Sequence, residues 1–540
     1  MTPTPTEVKP PRVTPTPTEV KPPRRENWVS RVGWDVIVVA GIGCLMTLPL
    51  WLAHRPPLQD LPQHAAAVQI LSHFGDARWH FSEYFTIHLG RTQYLTVYLA
   101  ALPFARLFGA LAAMKFIIAL TWVATPLSVL ALLRAIGKDG WLALLVLPLT
   151  YNAHALTGFV NFIAAIPLMF FGMAYAIRLY QKPSRKRSWL LAGLLLLTFY
   201  THVVPYGVLL LAVIALAFDR NMRTLLGRLI PVVPSVIAGL IWFFTSPAGL
   251  TLARITKPAP GSLPPRYVQL PEAIRAFADW LTPGLPGDAD PTRFAIWSLL
   301  CAMLWALSAS RSPSSTDQPD FQKGRSASMR LAFLLPLCIA CYFWLPVSYD
   351  FIWPISLRFP LIAAYLLPLW LVHAPAWGRR AAGVLSTALA ASALMDVGGA
   401  FQQFERVELR GLDEVIAKIP QGSRVAGLIF NPQSSITRQA SLLQSVAWVQ
   451  VEKGGAVMFT FADFPQSPFS FRATNRPPPV PPRWEWEPSR VDPQRDLKWY
   501  EYVLVHAGPG TIAISSNFSR VAQNGPWSLW HQSSFGSGSR

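Results

Sequence analysis

Two side chains with chemistry to offer stand four residues apart in Arg55-Pro56-Pro57-Leu58-Gln59-Asp60-Leu61-Pro62-Gln63-His64, directly after the first long apolar run. At the start of a short helix, a carboxylate and an imidazole at this spacing lie on one face. Such a pair suits general-base work or the holding of a divalent cation. The same D-x3-H spacing recurs at Asp76 and His80, with Glu83 close behind. Asp60, His64, Asp76 and His80, with Glu83 as a further ligand, are therefore a candidate divalent-metal set. The plainer reading makes them solvated histidines and acids at a membrane interface. Asp60 has a plainer reading too, as an N-cap that accepts a backbone N–H near Gln63. As a base it would gain from partial desolvation at a membrane surface, which raises a carboxyl pKa.

The chain that positions these groups is mostly apolar. Of its 540 residues, 52% are hydrophobic and 14% charged, with mean hydropathy +0.32. Soluble proteins carry about a quarter charged residues, so the deficit points to a polytopic membrane protein. Charge-free runs occupy 36–53, 116–133, 140–177, 188–218, 229–253, 294–310, 331–349 and 359–378. Several reach the roughly 20 apolar residues of a span. The first run begins beyond residue 33 and lacks a small-residue cleavage site, which predicts a retained anchor. The net charge of +19 gathers between apolar runs. That is the positive-inside pattern and argues against nucleic acid as a partner. Cys44, Cys301, Cys338 and Cys341 all lie within apolar runs, where small buried residues pack helices.

In chain order, residues 1–33 form a predicted disordered cytoplasmic tail. It contains MTPTPTEVKPPR followed by VTPTPTEVKPPR, a tandem repeat too rich in Thr, Pro and Lys to build a core. Arg24, Arg25 and Arg31 hold it in the cytoplasm, and the span at 34–53 runs outward. Residues 54–91 are a polar outer excursion in which 59–72 reads as an amphipathic helix lying on the membrane surface. Spans follow at about 92–109 and 113–133. The stretches 140–177 and 188–218 are broken near Tyr151-Asn152-Ala153-His154 and Tyr200-Thr201-His202. Basic segments at 182–187 and 220–228 both favour the cytoplasm, so 188–218 should be two short helices. Spans at 229–250, 294–310, 331–349, 359–378 and 381–400 complete the set, with a Pro-rich outer loop at 251–292 and a Ser-rich linker at 311–330. The fold class is mainly α, polytopic, with about 11 transmembrane helices over 34–400. Residues 401–540 regain charge and read as an extracytoplasmic α/β domain. It has a helix at 407–419, strands at 424–430, 500–505 and 511–515, and a polyproline break at 477–482.

These features together resemble the membrane glycosyltransferases of the GT-C superfamily. The cues are the outward first span, an acidic residue (Asp60) opening the first outer loop, helices in that loop, about a dozen uneven spans and an outer C-terminal domain. Gly158-Phe159-Val160-Asn161-Phe162, followed by a long apolar helix and a basic loop, is similar to uncharacterised bacterial proteins grouped with them. The resemblance covers roughly 34–400. It implies a bacterial inner-membrane enzyme that uses a polyprenyl-phosphate or polyprenyl-diphosphate sugar donor. The acceptor would be an envelope glycan, lipid or protein on the outer face.

On that footing Asp60 is the candidate catalytic base. His64, Arg358, His202 and Asn161 are candidate substrate-binding residues, with a divalent metal as the possible cofactor. A guanidinium beside the bilayer, as at Arg358, suits a lipid-borne phosphate, although snorkelling or pairing with Asp350 would also account for it. His202 and Asn161 lie within apolar stretches, where polar groups are costly and often functional, or else bond helix to helix. Two other functions remain open: a non-enzymatic lipid or glycan transporter using the same cavity, and an envelope scaffold acting through 401–540.

Overall fold

The computed structural model describes residues 33–257, 262–310, 326–371, 374–512, 514 and 516–533. The tandem repeat, Arg24, Arg25, Arg31 and most of the 311–330 linker lie outside them.

Among the described residues, seven helices are long and apolar enough to cross a membrane. They are Trp34–Leu52, Ala110–Ala135, Val160–Gln181, Met222–Thr245, Ala289–Ala309, Ser326–Trp344 and Ala376–Val407. Shorter apolar helices run over Thr96–Phe108, Gly140–Leu149, Val203–Ala217 and Ser356–Leu369. Val160–Gln181 sits centrally, against Ala110–Ala135, Arg185–Phe199 and Val203–Ala217. Met222–Thr245 instead leaves Ile237, Leu240, Ile241 and Phe244 exposed, an apolar surface suited to hydrocarbon. Ala376–Val407 packs on Gly140–Leu149, with Gly378, Ala382, Gly383, Ser386, Ala390 and Ala393 buried. Small residues at this spacing allow close backbone approach. A Cβ at Gly383 would come within 3.0 Å of the Leu144 side chain.

Capping residues break the long apolar stretches. The Asn152 side chain accepts from Ala155 N–H and opens Ala153–Thr157, which left-handed Gly158 ends. Val160–Gln181 then begins. Ser184 opens Arg185–Phe199 and His202 opens Val203–Ala217, so 188–218 is two helices, as expected. The expected span at 359–378 is shorter. It is helical over Phe359–Leu366 and tightens to a 3-10 turn over Leu367–Leu369, where Pro368 withholds an N–H from the helix.

The helix Leu61–Ser72 does not lie on a surface. Every residue from Leu61 to Ile70 is buried, and the helix is sandwiched between Thr96–Phe108 and Ala110–Ala135 on one side and Ala447–Lys453 on the other. Gln63 is satisfied by protein rather than water: it donates through Nε2 to Phe459 O at 2.7 Å and accepts through Oε1 from Phe461 N–H at 3.1 Å.

The C-terminal region is built on a mixed sheet. The strands are β1 (Phe85–Ile87), β2 (Arg424–Ile429), β3 (Ala456–Val457), β4 (Phe469–Phe471), β5 (Tyr502–His506), β6 (Phe518–Asn524) and β7 (Trp527–Gln532). Five of them form one sheet in the order β3-β2-β5-β7-β6, with β2 parallel to β3 and β5 and the last pair an antiparallel hairpin. β1, from the first polar excursion, pairs antiparallel with β4 and stitches that excursion to the C-terminal region. Two local expectations change. The helix at 407–419 is divided: Ala376–Val407 runs on to Val407, left-handed Gly411 interrupts, and only Leu412–Ile416 is helical beyond it. The strand expected at 511–515 is absent at Thr511, Ile512 and Ile514, and the sheet is completed by the hairpin that turns at Gly525.

Candidate active site

The loop leaving the first helix is held on both sides. Lys115 Nζ donates to Ala53 O at 2.8 Å. Arg55, 4% exposed, pairs with Asp413 and Glu452 and stacks on Trp448. Further along, Gln59 N–H donates to Leu156 O at 2.9 Å and Asp60 N–H to Thr157 O at 3.0 Å. The backbone at Asp60 thus lies against the turn that precedes Val160–Gln181. Gly158 makes this approach feasible: its φ is 83°, and a Cβ there would meet Asp60 N at 2.8 Å.

Asp60 occupies the N-cap position of Leu61–Ser72, but its side chain makes no capping bond. It turns away and accepts from Gln444 Nε2 at 2.6 Å through Oδ1. Enclosure by protein pushes its carboxyl up to about 7, against the smaller lowering effect of Gln444. The N-cap reading therefore does not account for Asp60.

His64 does not partner Asp60. Its Nε2–H donates to Gly158 O at 3.0 Å, and its Nδ1 accepts from the Tyr98 hydroxyl at 2.9 Å. A carbonyl can only accept, which assigns the proton to Nε2. Burial lowers the imidazole to about 4, so the ring is neutral near pH 7. With both nitrogens engaged, it has no lone pair for a metal. Asp76 is bound by Arg78, with Nη2 at 2.7 Å, and His80 Nδ1 lies 2.7 Å from Glu83. Among the described residues, no group of three or more His, Cys, Asp or Glu side chains is placed to hold a metal ion. The candidate metal set is not assembled, because each member is spent on a nearer partner.

Asp60, His64, Asn161, His202 and Arg358 all line one cavity of about 520 Å³. Arg358 is 8% exposed, and its Nε has no partner. Its guanidinium lies over the rings of Phe159 and Phe162, 5.8 and 5.7 Å from their centroids. Asp350 lines the same cavity, yet among the described residues no carboxylate pairs with Arg358. His202 accepts from Val204 N–H through Nδ1 at 3.1 Å, while its buried Nε2 is unpartnered. Asn161 Oδ1 is likewise buried without a partner. His202 Nε2 serves no helix-to-helix bond, whereas the Asn161 side chain is hydrogen-bonded to Tyr98 on Thr96–Phe108, so the plainer reading holds for that contact of Asn161 and not for His202. Tyr98 lies near Asp60 and Tyr94 near Arg358, bridging the acidic and basic ends. A buried cation without a counter-ion is costly, and an anionic ligand would offset that penalty.

The C-terminal region contributes lining that sequence reasoning missed: Gln444, Phe459, Phe461, Gln466, Glu485 and Trp486. Gln444 lies 384 residues from the carboxylate it touches. No local spacing signals such a contact.

No family model matches the sequence, and no curated protein matches it. Among solved structures, the chain is similar to a crystal structure of ArnT from Cupriavidus metallidurans bound to undecaprenyl phosphate. The TM-score is 0.52 and the identity 13%, over 94% of this chain and 100% of that one. The apo crystal structure of the same protein gives a TM-score of 0.52 and 14% identity, over 93% and 98%. At such identity the likeness is one of fold, and on it the chain is a mainly helical, multi-pass membrane protein with a C-terminal mixed sheet and an overall fold similar to that of ArnT, in line with the GT-C resemblance of its sequence.

Proposed function

We propose that this chain is an integral-membrane glycosyltransferase that moves a sugar from a polyprenyl-phosphate-linked donor to a hydroxyl of an envelope acceptor. The observation that carries this reading is that one cavity is lined both by a buried carboxyl, Asp60, pushed up to about 7 and by the buried guanidinium of Arg358, which no carboxylate among the described residues pairs with. Asp60 takes the proton of the acceptor hydroxyl through its second oxygen. The hydroxyl oxygen attacks the anomeric carbon, and the bond from that carbon to the phosphate oxygen breaks. Its electron pair leaves with the polyprenyl phosphate, whose charge Arg358 neutralises. Asn161 and His202 offer unpartnered polar atoms to the sugar or phosphate. In this reading the enzyme lies in a bacterial inner membrane with its N-terminus cytoplasmic. Residues 401–540 then form an extracytoplasmic domain that closes the site. The undecaprenyl phosphate bound to ArnT supports a lipid phosphate as the ligand class.

The test uses the purified chain in proteoliposomes with polyprenyl-phosphate-linked hexose and pentose donors, reading the release of polyprenyl phosphate. Asp60→Asn should lower release on the order of 10²- to 10⁴-fold with the protein still folded. Redistribution of lipid between leaflets without donor turnover would identify a transporter instead. Function that survives Asp60→Asn but not removal of 401–540 would identify a scaffold.

A further inference from the structure

Asp60 is approached from the far end of the chain. The segment before Ala447–Lys453 is fastened to the loop that carries Asp60 at successive points. Ser441 Oγ donates to Pro57 O at 3.0 Å, and Gln444 Nε2 donates to Asp60 Oδ1 at 2.6 Å. Gln444 is buried, and its amide oxygen has no partner. Its bond to Asp60 is the one side-chain hydrogen bond it makes among the described residues. Turning the amide over would set two oxygens against each other, so its orientation is settled by Asp60 alone. No hydrogen bond from a described residue reaches Asp60 Oδ2, which stays open to the cavity.

We propose that Gln444 is the positioning residue for Asp60: it fixes one carboxylate oxygen so that the other faces the incoming hydroxyl. The inference rests on the glycosyl-transfer reading above. An amide suits this task because it carries no charge. The contrast lies within the molecule: Asp76, held by the Arg78 guanidinium, is drawn down to about 2, too acidic to accept a proton near neutrality. Asp60, more deeply enclosed than Asp76, is pushed up to about 7 by burial, and the amide lowers it less than burial raises it. The other titratable and charged groups around the cavity are placed otherwise. His64 is tied to Tyr98 and Gly158, and His202 caps its helix. Arg358 lies with Tyr94. Asp350 and Glu485 line the wall, and neither is among the influences on Asp60. Burial and Gln444 are the influences that set Asp60.

The experiment titrates the Asp60 carboxyl directly. The full chain in lipid nanodiscs is treated with a water-soluble carbodiimide across pH 5 to 9, and modification of the Asp60 peptide is read by mass spectrometry. The pH–rate profile of polyprenyl phosphate release is measured beside it. Gln444→Met keeps the volume and removes the donor, while Gln444→Asn keeps the amide but draws it back. If one variant fails to fold, the other carries the test. The expected result is a modification midpoint raised by roughly one pH unit, with the rising limb of the pH–rate profile moving by the same amount. A midpoint that stays at the wild-type value overturns the proposal, as does a midpoint that moves while the rate limb does not. Transfer that is insensitive to Asp60→Asn overturns the glycosyl-transfer reading itself, whatever Gln444 does.

Discussion

Asp60 and Asp76 carry the same side chain within one loop, and their surroundings send them to opposite ends of the titration range. For Asp60 the raised value has a thermodynamic sign. Between the ordinary 3.8 and about 7, the unfolded chain has released its proton and the folded chain has not. Stability therefore falls as pH rises through that window. Asp60→Asn removes this penalty, so its melting temperature at pH 8 should equal or exceed that of the wild type although transfer is lost. A drop of several degrees would mean that the carboxylate serves the fold. Activity should rise with pH through about 7 as the base ionises. Arg358→Gln removes the cation and leaves a shorter, uncharged polar side chain. It should weaken binding of undecaprenyl phosphate by about 10- to 100-fold, the range expected for losing charge-assisted hydrogen bonds; native mass spectrometry of the complex checks this. The sequence singles out five residues that line one cavity, because a carboxylate, an imidazole or a guanidinium beside apolar runs, or an amide such as Asn161 inside one, stands out in one dimension. Gln444 does not stand out. An uncharged amide in a stretch of ordinary composition acquires meaning only when the fold brings it to Asp60.

At the scale of elements, the site depends on a close passage of backbone. Asp60 N–H donates to Thr157 O at 3.0 Å, and Gly158 turns with φ 83° beside it. Gly158→Ala should lower stability by about 1–2 kcal/mol for the left-handed conformation alone. It should also displace Asp60, since the added methyl would meet Asp60 N at 2.8 Å. The expected outcome is a lowered melting temperature together with a disproportionate loss of transfer. An unchanged melting temperature with full transfer would contradict the geometry. Gly383→Leu, where Ala376–Val407 meets Gly140–Leu149, should loosen the bundle and leave the Asp60 titration untouched. The breaks at Asn152 and His202 were legible because capping residues interrupt apolar runs. The burial of Leu61–Ser72 was not. Its polar residues have the pattern of a wet face, and nothing local reveals that Phe459 and Phe461 supply the backbone partners water would otherwise provide.

Across the whole molecule, the helical region and segments of the C-terminal region outside its strands line one cavity. The apolar spans and two strands of the sheet, at 424–430 and 500–505, could be read from hydropathy and strand-length apolar runs, whereas the hairpin of β6 and β7 could not, and the fold similarity to ArnT extends over 94% of the chain. The junction of the two regions could not be read, because it is made by one short strand pair, β1 with β4, and by single side chains: Arg55 on Asp413 and Glu452, Ser441 on Pro57, Gln444 on Asp60. Arg55→Met should therefore slow transfer more than it lowers the melting temperature, since Asp413 and Glu452 are 66% and 37% exposed and can return to water. Equal losses in both would make the junction purely structural. The account as a whole is tested most directly by a cryo-electron microscopy structure of the full chain in nanodiscs with undecaprenyl phosphate. It predicts the phosphate against the Arg358 guanidinium, inside the cavity that Asp60 lines. A headgroup seated elsewhere, with Arg358 untouched, would contradict it.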